Sequence, residues 1–268
     1  MALTSYDAIV AALNNGNGQW FPWNKQSATA MSGQWLSLWK ITGNPTAGST
    51  PSSGAGDSMN SASVGAFKFS DPSGGNRMNA LLFGAGGVTQ GAMMLYDRLV
   101  ATSGLSGTVA TAQTINSTAL PRYTTGVGVL CALEVYTALG STPVTATISY
   151  TNQDGVSGQT SGTISIPASA VAGTMIFPFP LASGDTGIKS VQSLTLSGST
   201  GSAGNFGITL YVPLAFVPYN ASSYSERDLV LQTANLPQIN AGACLAMATL
   251  ASASSTGMQF GNLVLAQG

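Results

Sequence analysis

Nine carboxylates, two thiols and no imidazole are the groups with which this chain could do chemistry. Without histidine it lacks the commonest general base, the usual middle member of a nucleophilic triad and the commonest nitrogen ligand for metals. Two carboxylates could still cleave a glycosidic bond. The candidates are Asp7, Asp57, Asp71, Asp97, Glu134, Asp154, Asp185, Glu226 and Asp228. Most have a local reason to be where they are: Asp7 falls in a first helical turn, and Asp71, Asp154 and Asp185 in turns bearing Pro or Gly. Glu134 has none, because it lies inside the apolar run Cys131-Ala-Leu-Glu-Val-Tyr136. A carboxylate in such a run either faces solvent or pairs with a cation, for which Arg98 or Arg122 is expected. The neighbours Asp97 and Arg98 are expected to fix an interface rather than bind a substrate. The chain is read as no enzyme, with no catalytic residue, cofactor or metal site assigned.

The remaining reactive groups and motifs fit the same reading. Cys131 and Cys244 both sit in apolar surroundings, as two buried thiols or as the halves of a long-range disulfide, and two thiols are too few for a Cys-only metal site. The segment Gly84-Ala-Gly86-Gly87 has Thr89 where a dinucleotide fingerprint wants its third glycine, and no Gly-Lys-Ser/Thr follows, so it reads as a turn. The sequons at Asn116 and Asn220 need a secretory route for which the sequence shows no signal, and are read as coincidence.

Charge is scarce. Lys and Arg number 8 and Asp and Glu 9, together 6% of residues, where a soluble protein carries about 25%. Ser, Thr, Gly, Asn, Gln and Ala must cover the surface instead, and a net charge of −1 does little to keep copies apart. Lys25, Lys40, Lys68, Arg77, Arg98, Arg122, Lys189 and Arg227 are scattered rather than striped, so direct binding of nucleic acid is not expected. No apolar stretch approaches the roughly 20 residues that span a bilayer, so no membrane partner is expected and the chain reads as made in the cytosol.

The pattern that must position these groups is mostly that of strands. Thr4-Ser5-Tyr6-Asp7 before Ala8 to Leu13 predicts a capped helix ending at Asn14-Asn15-Gly16. All four tryptophans follow within 20 residues, at Trp20, Trp23, Trp35 and Trp39, beside Phe21. They could serve as core, as protein interface or as a sugar-stacking ligand platform. Gly43 to Ser63 lacks an apolar period and reads as a long loop or flexible arm. Residues 64–105 are ambiguous between strand and helix and are read as strand, including Val64 to Phe69 and Ala92 to Val100. Val144 to Tyr150 alternates clearly, and Asp154-Gly155 marks a hairpin bend before Thr163 to Ile166. Runs at Val127 to Tyr136, Thr174 to Phe177, Val191 to Leu196, Phe206 to Val212 and Asn262 to Leu265 keep up the rhythm.

The strings Leu95-Tyr-Asp-Arg-Leu99, Thr102 to Thr108, Leu120-Pro-Arg-Tyr-Thr-Thr125, Leu133-Glu-Val-Tyr136, Ser149 to Gln153, Ser190 to Ser193 and Gly201 to Gly207 resemble a family of uncharacterised virion proteins of tailed bacteriophages, encoded near the major capsid protein. The resemblance runs from the N-terminal helix to about Val217. It implies a place on the particle and carries no active site. The expected fold is mainly β, a jelly-roll or immunoglobulin-like β-sandwich with a short N-terminal helix and long Gly/Ser-rich loops. Residues 1–63 are expected to hold the helix, the Trp-rich segment and the loop, 64–217 the sandwich, and 218–268 an extension packing on the sandwich or on a neighbouring subunit. The expected role is a capsid decoration protein on the virion surface, a homotrimer bound to the major capsid protein. A tail, neck or fibre-base structural component and a receptor-binding lectin-like module are the alternatives. Trp20, Phe21, Trp23, Trp35, Trp39, Asp97 and Arg98 are the candidate interface residues.

Overall fold

The computed structural model describes residues 6–71, 80–221, 223–228 and 239–266. Helix α1 (Tyr6–Asn14) leads into β1 (Gly18–Lys25), β2 (Trp35–Ser37), β3 (Gly43–Asn44), β4 (Asp57–Ser58), β5 (Ala80–Gly87) and β6 (Gly91–Ala101). The middle of the chain forms β7 (Gln113–Thr114), β8 (Leu130–Thr137), β9 (Val144–Asn152), β10 (Gln159–Thr160), β11 (Ile164–Ile166), β12 (Thr174–Ile176) and β13 (Ile188–Leu196). Strands β14 (Asn205–Tyr219), β15 (Tyr224–Asp228), β16 (Leu245–Ala251) and β17 (Gln259–Ala266) complete it. The protein is mainly β, as its sequence predicts. The helix forms at the expected place, while its expected cap at Thr4 and Ser5 lies outside the described residues.

The strands build three layers. Strands run in the order β14-β8-β12-β2-β16-β6, and β6 pairs again with β14, so this sheet closes into a six-stranded antiparallel barrel with β4 on its rim. One open sheet, β10-β9-β13-β7 with β11 also on β9, covers one side of the barrel. Ile148, Tyr150, Val191 and Leu194 from that sheet pack against Cys131, Leu133, Ile208 and Leu210 of the barrel wall. A second open sheet, β15-β5-β17-β1-β3, covers another part. Its Trp23, Phe83, Leu263 and Leu265 meet Leu36, Met93, Leu95 and Leu245. The layered arrangement is compatible with the expected sandwich, with a central layer that is a closed ring.

This architecture explains why some runs were legible and others not. In β9 the residues alternate between buried and half-exposed, because one face meets the core and the other water. In β6 all residues after Gly91 are buried, since one face lines the barrel and the other meets a covering sheet, and the period-2 signal vanishes. Two expectations fail locally. Val64 to Phe69 is no strand: the backbone turns at Gly65, with φ near 100°, although Phe67 and Phe69 still bury their rings. Gly84 to Gly87 is no turn: it is the end of β5, where a Cβ on Gly84 would meet the Tyr224 ring and hydroxyl. The loop from Gly43 to Ser63 is laid down on the barrel rather than free, by Gly48 N–H to Trp39 O, Trp39 Nε1–H to Ser49 O and Met59 N–H to Leu99 O bonds.

Both flanking segments supply strands to the interior of the sheets. β1 and β2 from residues 1–63 and β16 and β17 from residues 218–268 are all interior strands: β16 lies between β2 and β6, and β17 between β5 and β1. Removing β17 by ending the chain at Met258 is therefore expected to abolish the cooperative unfolding transition in urea; a removable extension would leave it intact. Phe206, fully buried between barrel and covering sheet, should cost about 3 to 5 kcal/mol when changed to Ala in the same assay.

Candidate functional site

The sequence-predicted interface residues part into an interior set and a surface set. Asp97 and Arg98 belong to the interior: both are fully buried inside the protomer, which corrects their expected place at an interface. Alternation along the barrel strands sends Tyr96 and Arg98 of β6, Glu134 and Tyr136 of β8, and Thr209 and Tyr211 of β14 into the lumen. Arg98 Nη1 lies 2.7 Å from Glu134 Oε2. Arg98 also donates from Nη2 to the Tyr136 hydroxyl at 3.1 Å, and that hydroxyl and Thr209 Oγ1 donate to Glu134 Oε2 at 3.0 and 2.7 Å. The guanidinium stacks over the Trp39 ring, 4.8 Å from its centroid. Of the two partners expected for Glu134, Arg98 is the one that pairs.

Arg122 pairs instead with Asp97, as a fork with Nε and Nη2 at 2.9 and 2.6 Å from the two carboxylate oxygens. Cys244 N–H adds a third bond to that carboxylate at 2.9 Å, and Arg122 Nη1 reaches Met59 O. The clamp thereby ties β6 to the loop before Phe67 and to the turn entering β16. Burial pushes the Asp97 carboxyl up, against the pull of Arg122 and the Cys244 N–H. Burial would raise Glu134 as well, but Arg98 and the hydroxyls of Ser37 and Thr209 outweigh it and hold this carboxyl below its ordinary value. Burial raises Tyr96 to about 12 and drives Tyr136 well up, so both phenols stay protonated and Tyr136 keeps the proton it donates to Glu134. Cys131 and Cys244 are free buried thiols, pushed up by burial. Among the described residues no three His, Cys, Asp or Glu side chains could jointly hold a metal.

The tryptophan cluster divides by depth. Trp23 stacks on Phe83 with centroids 6.1 Å apart, and Trp39 lies beneath the loop that follows it; both are core. Phe21 is half-buried, edge-on to Phe67. Trp35 is half-buried in a file of rings that runs from Tyr96 and Tyr211 in the lumen through Phe177 and Trp35 to Phe216, which is 45% exposed. Trp20 is 68% exposed, the most open large apolar side chain described. It stands on the outer face of the five-stranded sheet, where Phe260 and Tyr224 are also exposed. Its Nε1–H donates to Asn262 Oδ1 at 3.2 Å.

Two aromatic surfaces result, one on the barrel around Phe216 and one on a covering sheet around Trp20. Phe216, Phe260, Tyr224 and Asn262 were not singled out in the sequence. Phe216 lies in the apolar run Leu214 to Val217, where the bulge in β14 between Pro213 and Ala215 shifts the alternation and sets it opposite Met94, on the face of the lumen rings. Nothing in the local pattern announces that bulge.

Losing one member of the lumen pair should cost far more than losing both. Arg98→Met leaves a buried carboxylate unpaired and is expected to destabilise by about 3 to 5 kcal/mol in urea unfolding, whereas Arg98→Met with Glu134→Leu should recover most of that loss. Because folding holds Glu134 below its unfolded value of about 4.3, the unfolded chain takes up the proton first. The pair's contribution is thus present above about pH 5 and lost as pH falls through the folded value. The double variant should show a flatter acid limb than the parent.

No family model matches the chain, and no curated protein matches it either. Among solved structures it is compared with VP2 of infectious bursal disease virus in a subviral particle, at 11% identity over 93% of this chain and 81% of the other, with a TM-score of 0.22. The virus of the Gt strain gives 12% identity over 94% and 82%, with a TM-score of 0.14. Overlap at this level lies below that of a shared fold, so a reading of function rests on the molecule's own surface.

Proposed function

We propose that this chain is a structural component of a virus particle, a decoration protein that sits on the capsid as a homotrimer and bridges neighbouring subunits. The observation that carries the reading is the pair of outward aromatic surfaces on two different sheets, Trp20 with Phe260 and Tyr224 on one and Phe216 with Trp35 on the other. A monomer gains nothing from leaving rings of this size in water, and two such patches let one chain hold two neighbours at once. The surface around them carries little charge, so copies brought close on a shell repel only weakly. Each contact can be modest, because a trimer gripping several subunits sums them through effective concentration. The chain would be made in the host cytoplasm and end on the virion surface, with no cofactor.

Purified particles would be weighed for copies of this chain per major capsid protein, and the head mapped by electron cryomicroscopy. Hundreds of copies on the shell are expected. A handful confined to the neck or tail would overturn the decoration role. Phe216→Ser should lower retention on heated particles with little change in the stability of the isolated chain; retention equal to the parent's would remove that surface from the bridge.

A further inference from the structure

At the foot of Trp20 lies a groove of about 360 Å³, floored by Phe21 and Phe67 and rimmed by Asn44, Thr46 and Lys68. From it and the exposed ring above it we infer a binding site for one or two pyranose units of a neutral glycan, built on the same Trp20 surface that the bridging role would use and independent of where on the particle the chain sits. Three features carry this. First, Trp20 is held with its face open: the bond to Asn262 fixes the edge of the indole and leaves the ring surface uncovered. A ring restrained in that way presents a flat apolar plate with its negative quadrupole face outward, which attracts the polarised C–H groups on one face of a sugar.

Second, the rim offers hydrogen-bonding groups suited to hydroxyls. Asn44 is itself anchored, its Nδ2 donating to Pro22 O at 2.8 Å and its N–H to Asn24 Oδ1 at 3.1 Å, so its amide is set in place before any ligand arrives. Thr46 is exposed beside it. An apolar floor with a few placed polar groups is the usual make-up of a small-ligand site. Third, the charge pattern selects against ionic ligands. No carboxylate lines the groove, which offers nothing to a cation. Its one ammonium, Lys68 Nζ, is turned to Ser61 O and Ser63 O at 3.1 and 2.6 Å.

The test titrates maltose, cellobiose, lactose and N,N′-diacetylchitobiose into the full chain, followed by saturation-transfer NMR and by tryptophan fluorescence. At least one should bind in the millimolar range, with contacts from the ring C–H face. Trp20→Ala should weaken it at least about tenfold, Asn44→Ala and Thr46→Ala each several-fold, and Phe216→Ser not at all. Trp20 and Thr46 are exposed, so these variants are expected to fold as the parent does. Failure of all four sugars to bind, or binding unchanged in Trp20→Ala, overturns the site. So does a Trp20→Ala chain that loses self-association in sedimentation while no sugar binds the parent, which would assign the ring to a protein contact. Sugar binding is measured on the free chain and copy number on the particle, so the two readings fail separately.

Discussion

The fold turns on the closure of one sheet around a charge. β14 pairs with β8 along one edge and with β6 along the other, and this second pairing makes the barrel. Closure removes two sheet edges but forces residues of six strands to share a narrow lumen. Most of that space is taken by Tyr96, Tyr211, Met175 and small alanines, and its polar centre is the Arg98–Glu134 pair. Two charges so deep cost desolvation, offset only because the carboxylate also receives hydroxyls and the guanidinium also lies on an indole. The geometry requires β6, β8 and β14 in one register together. The pair thus selects a strand alignment more than it adds stability.

The two open sheets depend on that ring. Each presents one apolar face and would be marginal alone, and each finds its partner surface on the outward face of the barrel wall. Coupling between layers is polar as well as apolar: Tyr219 of β14, Thr249 of β16 and Gln259 of β17 form a buried hydrogen-bonded cluster joining the barrel to the five-stranded sheet. Close approach is arranged with glycine. Trp23 faces Gly261 across β1 and β17, where a Cβ would come within 2.6 Å of the ring. Lys25, on the same inward side of β1, is buried with its ammonium on the Ile41 and Pro45 carbonyls, and burial lowers it to about 8.

Charge is scarce throughout, and its closest pairs lie in the barrel and at its rim, so the outside is left mostly to amides, hydroxyls and a few open rings. This is the physical basis for reading the chain as a protein of contacts. Trp20 and Phe216 reach their places differently: Trp20 follows the simple alternation of β1, while the face Phe216 takes is set by a bulge in β14.

The sequence by itself determined the β class, the hairpin at Asp154-Gly155, the short helix, the shortage of charge and the place of Glu134 as the one carboxylate without a local reason. Each is local or compositional: alternation, turn chemistry and a polar residue in an apolar run can be read within a few residues. Only the tertiary structure decided that Arg98 rather than Arg122 meets Glu134, that Asp97 and Arg98 are interior, that Trp23 and Trp39 are core while Trp20 is open, and that β1, β2, β16 and β17 are central strands. These outcomes depend on which strands lie side by side, and pairings such as Gly18 with Ala266 join residues from opposite ends of the chain. Where both faces of a strand are buried, as in β6, the alternation that would reveal its orientation is erased by the very packing that gives it one.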